Sequence, residues 1–208
     1  MLFRSSEARK VLVDEASSTL FPIAQDVKIQ IEFNPARVSE YRLIGYETRA
    51  LKREDFNNDT VDAGDIGSGH TVTAIYEVTP VGAPGVVDGL RYGNPDRTRR
   101  EPVASTSSDV EYAFLKIRHK LPKQDTSRLL TLPVTAALEA PSIAAASPEV
   151  RFSVAVAAFG QLLRGQPYLK SFGYDDVSAL ANSAKGNDPF GYRAEFVGLV
   201  RLAKSARP

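Results

Sequence analysis

Between Val27 and Phe33 apolar and polar residues alternate without a break: Val27, Ile29, Ile31 and Phe33 against Lys28, Gln30 and Glu32. A period of two puts each set on its own side of a pleated strand, so the pattern predicts a half-buried strand with the aliphatic set inward. Asn34-Pro35 ends it, since proline offers a ladder no amide and Asn favours turns. Further strands are expected at 41–47, at 71–78 with Val72, Ala74, Tyr76 and Val78 on one face, at 111–120 and at 129–134. A short apolar run at 19–24 and the tripeptide Leu90-Arg91-Tyr92 read as brief strands. Short strands without intervening helices favour an antiparallel sandwich.

After the alanine-rich stretch 136–146 the period changes. Ser147-Pro148-Glu149 is a helix start, with serine as cap and proline at the first helical position. Phe152, Val156, Phe159 and Leu163 then fall on one face, and Gly165 stops the helix. Asp175-Asp176 opens a second helix, with Val177, Leu180, Ala181 and Ala184 inward and Gly186 at its end. Asp188-Pro189 opens a third, with Phe196, Leu199, Val200 and Ala203 inward and Arg201 and Lys204 outward. Residues 5–16 form a short amphipathic helix capped by Ser5 or Ser6; a chain that opens in mid-helix suggests that something upstream has been removed.

Composition narrows the function classes. The 208 residues are 43% hydrophobic and 25% charged, an ordinary globular balance. Twenty-six basic against 25 acidic side chains leave a net charge of +1, without the basic excess that drives phosphate binding. Nucleic acid is therefore not an expected partner. The absence of cysteine removes disulfides, thiolate metal sites and a cysteine nucleophile. No apolar run approaches the ~20 residues of a membrane span, and the N-terminus lacks an apolar stretch of signal-peptide length.

Motifs of chemistry are sparse. His70 and His119 do not form a metal-binding spacing and are expected to be structural. Gly67-Ser68-Gly69 precedes a strand rather than a helix, which fails the context of a dinucleotide loop. Residues 80–109 hold four prolines, four glycines and the basic knot Arg97, Arg99 and Arg100. They read as a long surface loop, with a phosphate- or acid-binding patch as the sharper alternative. The most suggestive stretch runs from Asp55 to Ile66. Asp55, Asn57 and Asp59 alternate like the first ligands of a calcium loop, with Asp62 and Asp65 following. Thr60 stands where such a loop needs glycine, Ile66 where it needs a bidentate glutamate, and no helix follows. The expectation is an ordered Asx turn joining two strands, with calcium binding as the alternative.

Several longer strings are familiar: 27–35, Tyr41-Arg42-Leu43-Ile44-Gly45-Tyr46-Glu47, Glu54-Asp55-Phe56-Asn57, Asp62-Ala63-Gly64 and 69–77. With Phe159-Gly160-Gln161-Leu162-Leu163-Arg164-Gly165 and 188–196, they resemble the C-terminal region of unknown function that follows a von Willebrand factor A (VWA) domain in a family of bacterial proteins. The resemblance runs from about residue 7 over nearly the whole chain. It implies that residues 1–25 are the end of a VWA domain. The D-x-S-x-S motif of the VWA metal site does not occur here, so that site is carried over to no residue.

The resulting expectation is an α+β chain: a VWA remnant at 1–25, an antiparallel β-sandwich-like domain at 26–136, and a three-helix element at 147–208 packed on it. Its function is expected to be that of a non-catalytic accessory or interaction module, with no cofactor. The expected partners are the upstream VWA domain of the same protein and other proteins, in a protein of the bacterial cell envelope. A calcium- or small-ligand-binding sandwich built on Asp55, Asn57, Asp59, Asp62 and Asp65 is the alternative. A hydrolase has only scattered carboxylates behind it.

Overall fold

The computed structural model describes residues 21–45, 51–61, 63–86, 110–165 and 167–206. The helix expected at 5–16, the strand at 90–92, the basic knot at 97–100 and Asp62 lie outside them. The described residues fall into two compact units that divide between Glu139 and Ala140. Antiparallel sheets make up the first and three α-helices the second, so the chain is mixed α+β as its pattern predicts.

In the β unit, β1 (Pro22–Phe33), β3 (Gly64–Gly67), β5 (Glu111–Lys120) and β6 (Ser127–Thr135) form one four-stranded sheet in the order β3-β1-β5-β6. Strands β2 (Val38–Ile44) and β4 (Ile75–Pro80) form a separate ribbon. The run at 19–24 and the alternating run at 27–33 are not two strands. Pro22 and Ala24 pair with Gly67 and Ile66, and the same strand continues to Phe33 along β5. The turn after β1 is built by Asn34, whose side chain accepts from the Ala36 amide at 3.0 Å and donates to the Glu111 carbonyl at 2.9 Å. The strand expected at 71–78 begins only at Ile75. Its partner runs out there: Ile44 pairs with Ile75, and Gly45, at φ +78, turns the chain off the ladder.

Asp26 decides which way the large sheet faces. Its φ is +51, a left-handed conformation that aspartate tolerates better than most residues. From Gln25 to Lys28 β1 spends three steps where β5 spends two, from Lys120 to Arg118. That extra residue is a β-bulge, and it resets the side of the sheet to which the following residues point. Beyond it Ile29, Ile31 and Phe33 stand in line with Ile117, Leu115 and Ala113 on β5, and these with Leu130, Leu132 and Val134 on β6. Lys28, Arg118 and Leu129 begin the opposite face. The sequence places Lys28 in solvent and Ile29 in the core. Here Lys28 is 1% exposed and Ile29 47%.

The ribbon meets the apolar face at one end. Phe33 stacks on Tyr41 at 4.4 Å between ring centroids and meets Tyr76 edge-on at 5.3 Å. Such aromatic pairs add about 0.5–1.5 kcal/mol beyond the area they bury. Burial raises the Tyr76 hydroxyl above its ordinary pKa, with nearby Tyr41 adding to the effect. Across the ribbon Arg42 and Glu77 are register partners and form an ion pair.

The helical unit comprises α1 (Pro148–Leu163), α2 (Tyr174–Ser183) and α3 (Tyr192–Ser205). Ser147 caps α1 as expected, its hydroxyl accepting from the Val150 amide at 3.3 Å. Gly165 follows the end of α1 at φ +65, the left-handed conformation in which helices commonly terminate. Asp176 accepts from the Gly173 amide ahead of α2 at 2.8 Å, and Asp188 from the Ala194 amide within the first turn of α3 at 2.9 Å. The core is Ala155, Ala158, Val177, Ala181, Val197 and Val200, ringed by Phe152, Phe159, Leu162, Phe172 and Phe196. Full burial of Val177 and Val200 contributes about 1.5–3 kcal/mol each. On α2 the expected face is the buried one. On α1 it is only half so: Phe152 and Phe159 pack on the core, but Ala155 and Ala158 are inside in place of the expected Val156 and Leu163, which are 43% and 58% exposed.

Candidate functional site

Polar side chains converge where β1, β5 and β6 pass under the segment 52–61. Lys28 is the centre. Its ammonium donates to the Asn58 carbonyl at 2.6 Å and to Asp26 Oδ2 at 3.3 Å, and its side chain is sealed from solvent. Lys120, on the same face of the neighbouring strand, lies 3.0 Å from Asp26 Oδ2. That hydrogen bond raises the Lys120 pKa above its ordinary value, against a smaller effect of desolvation. Asp26 Oδ1 is 3.2 Å from the Lys28 ammonium, an ion-pair distance, yet receives no directed hydrogen bond. The Asp26 amide donates to Asp65 Oδ1 at 3.1 Å, which ties the bulge to β3.

A second acidic group closes the cluster from above. Asp59 Oδ1 accepts from Arg118 Nε at 3.2 Å and from Ser127 Oγ at 2.6 Å, and its Oδ2 accepts from Arg118 Nη2 at 3.1 Å. Its carbonyl takes a hydrogen bond from Lys120 at 3.1 Å. Hydrogen bonds from Arg118 and then Ser127 hold the Asp59 carboxyl down to about 2. Two-point arginine contact of this kind is the strong form of a carboxylate pair. Three cations, Lys28, Arg118 and Lys120, thus face two carboxylates, Asp26 and Asp59, while exposed Asp65 accepts from the Asp26 amide beside them.

This fixes where the residues of the acidic stretch lie. Asp55 and Asn57 sit in a short 3-10 turn, Arg53–Asn57, where the Asp55 carbonyl accepts from the Asn58 amide at 3.2 Å. The Asx turn forms one residue later than the alternation suggests: Asn58 Oδ1 accepts from the Thr60 amide at 3.0 Å and the Thr60 hydroxyl at 2.7 Å. Asp59 turns to Arg118 and Asp65 to the Asp26 amide. No three His, Asp or Glu side chains come together as a cation site requires, among the described residues. His70 is exposed at the turn after β3, and His119 lies on β5 opposite Arg128.

Lys28, Asp26, Arg118, Lys120 and Ser127 were not singled out by the sequence pattern. Their signal is slight: an Asp-x-Lys at the head of one strand and an Arg-x-Lys of the same parity on another. Only the register brings them together.

Antiparallel sheets in one unit and three helices in the other define a mixed α+β chain whose β unit carries an ionic cluster. Residues 18–206 match the family described as "Uncharacterized protein YfbK, C-terminal", and the chain belongs to that family. It is 48% identical over 198 residues to the "Uncharacterized protein YfbK" of Escherichia coli (strain K12). That match covers 95% of this chain and 33% of the relative, so the chain spans about a third of the relative's length. No solved structure matches it.

Proposed function

We propose that this region is a non-catalytic accessory module of a longer VWA-type protein, serving protein–protein interaction or adhesion. The observation that carries the reading is the extent of the match: nearly all of this chain, but only a third of the relative. A C-terminal part of that size works beside a larger preceding one. The strings at 27–35, 41–47 and 69–77, which resemble the region after a VWA domain, support the VWA context. The ionic cluster supports the non-catalytic part. Asp26 and Asp59 are engaged by Lys28, Arg118 and Lys120, whereas a general acid or base needs a carboxylate open to a substrate proton.

The experiment is crosslinking with mass spectrometry in the native host, on the longer protein with and without this region. The reading expects crosslinks from this region to at least one other protein, and loss of those complexes on truncation while the preceding part stays folded. Unchanged complexes after truncation, or turnover of a substrate by this region alone, would reject it.

A further inference from the structure

Near the bulge the large sheet is inverted relative to an ordinary one-sided sheet. Antiparallel sheets standing free turn their polar face to water and their apolar face to the core. Here the end of the face that bears Lys28, Arg118 and Lys120 is covered, roofed by the segment that carries Asn58 and Asp59, whereas Leu129 and Thr131 on the same face are exposed. The opposite face is aliphatic across three strands, from Ile29 and Ile31 through Leu115 and Ile117 to Leu130 and Leu132. The ribbon covers its Phe33 end. The described residues of the β unit leave the other end of this aliphatic face open, with Ile29, Leu130 and Leu132 at 47%, 57% and 50% exposure. The apolar stretch ends at His119 and Arg128, which stand opposite each other next in line on β5 and β6, so it is an aliphatic patch with a polar rim, as interfaces commonly have.

We infer that the open end of this face, centred on Ile29, Leu130 and Leu132, is the seat of the preceding region of the same polypeptide, which meets it with an aliphatic surface. The inference rests on the reading of this chain as part of a longer protein. Three observations favour that occupant over a second copy. The family is defined as a C-terminal part, and two-thirds of the relative falls outside the match. β1, the first described strand, is an inner strand of the sheet, and Phe21 and Ile23 at its start are themselves exposed. A second copy would add most simply along the free edge at β6, but Pro133 stands there and has no amide to donate.

The chain contains no cysteine, so an introduced thiol reports on one position. Leu130→Cys places it on the aliphatic face; Thr131→Cys places it on the opposite, exposed side of the same strand. Labelling rates at each site are read by peptide mass spectrometry in the 208-residue chain and in the full-length polypeptide, both at submicromolar concentration. Tethering supplies an effective concentration near the millimolar range. A face-to-face affinity of only ~10 μM would then slow labelling at Leu130→Cys about a hundredfold in the full-length protein, leaving Thr131→Cys unchanged. Equal rates at Leu130→Cys in both forms would overturn the inference. So would protection in the 208-residue chain that is independent of concentration, which puts the cover within this chain, or that grows with concentration, which assigns it to a second copy. None of these results depends on whether the preceding region is a VWA domain or on an outside partner, so the inference and the proposed function fail separately.

Discussion

Arg118 donates to both carboxylate oxygens of Asp59, from Nε at 3.2 Å and from Nη2 at 3.1 Å. The pair joins β5 to the segment after the 3-10 turn, and Lys28 reinforces it one residue earlier through the Asn58 carbonyl. What looks in sequence like an acidic ligand loop is a lid fastened onto the charged side of a sheet.

The first prediction concerns pH. The folded pKa of Asp59 lies near 2, below its ordinary value of 3.8, because Arg118 and Ser127 hydrogen-bond the ionised form. A depressed carboxylate pKa contributes stability above the unfolded value, and that contribution disappears as pH falls through the folded one. Asp59→Asn should therefore melt below the parent chain at pH 7, and the gap should close between about pH 4 and pH 2. The side chain is 41% exposed, so water and salt screen the pair and the gap should also shrink in high salt. Thermal melts across that range check it; a gap independent of pH would assign the loss to packing.

Lys28 should be the most sensitive charged position in the β unit. Removing one partner of a buried pair leaves the other charge uncompensated, at a cost of about 3–5 kcal/mol. Lys120 remains beside Asp26 after the change, which places Lys28→Met near the lower end, about 3 kcal/mol. Urea unfolding measures it. The double variant with Asp26→Asn should recover part of the loss, giving a coupling energy of roughly 1 kcal/mol or more.

Calcium should leave the chain unmoved. A cation at a hundred times its dissociation constant would stabilise the fold by about 2.7 kcal/mol, a melting shift of a few degrees at this size. Asp59 is held by Arg118 and Asp65 by the Asp26 amide, so binding would first have to break both contacts. No shift is expected in millimolar calcium. A reproducible rise that Asp59→Ala abolishes would restore the metal reading.

The elements that sequence reveals here are those set by local chemistry. Ser147 and Gly165 mark the ends of α1 because a cap and a left-handed stop involve only their neighbours. The alternation at 27–33 finds β1 but misassigns its faces, because the sheet buries Lys28 between Asp26 at the bulge and the Asn58 carbonyl supplied from elsewhere in the chain. Nothing near Asp26 requires its positive φ; the bulge is settled by pairing with β5 and by Asp65. β3 escapes notice because Gly64–Gly67 is too short to show a period, and half of it is glycine. The ionic cluster is assembled by register from residues as distant in sequence as Asp26 and Ser127, and no window along the chain contains it.

The last prediction separates the two faces that compete for the core side of α1. An apolar pattern of Phe152, Val156, Phe159 and Leu163 puts Val156 inside, but the helix turns so that Ala155 and Ala158 meet α2 and α3 through Val177, Ala181, Val197 and Val200. Small residues there let the helices approach closely, and bulk added at that point has nowhere to go. Ala155→Leu should cost about 1–3 kcal/mol by overpacking. Val156→Ala, at a 43% exposed position, should stay within about 0.5 kcal/mol of the parent chain, aided by the higher helix propensity of alanine. If Val156 were the core residue, its truncation would instead remove two methyl groups from a packed site and cost more than 1 kcal/mol or so. Chemical denaturation of the two variants, followed by far-ultraviolet circular dichroism, decides between the faces. A costly Val156→Ala with a tolerated Ala155→Leu would overturn the packing described for this helix.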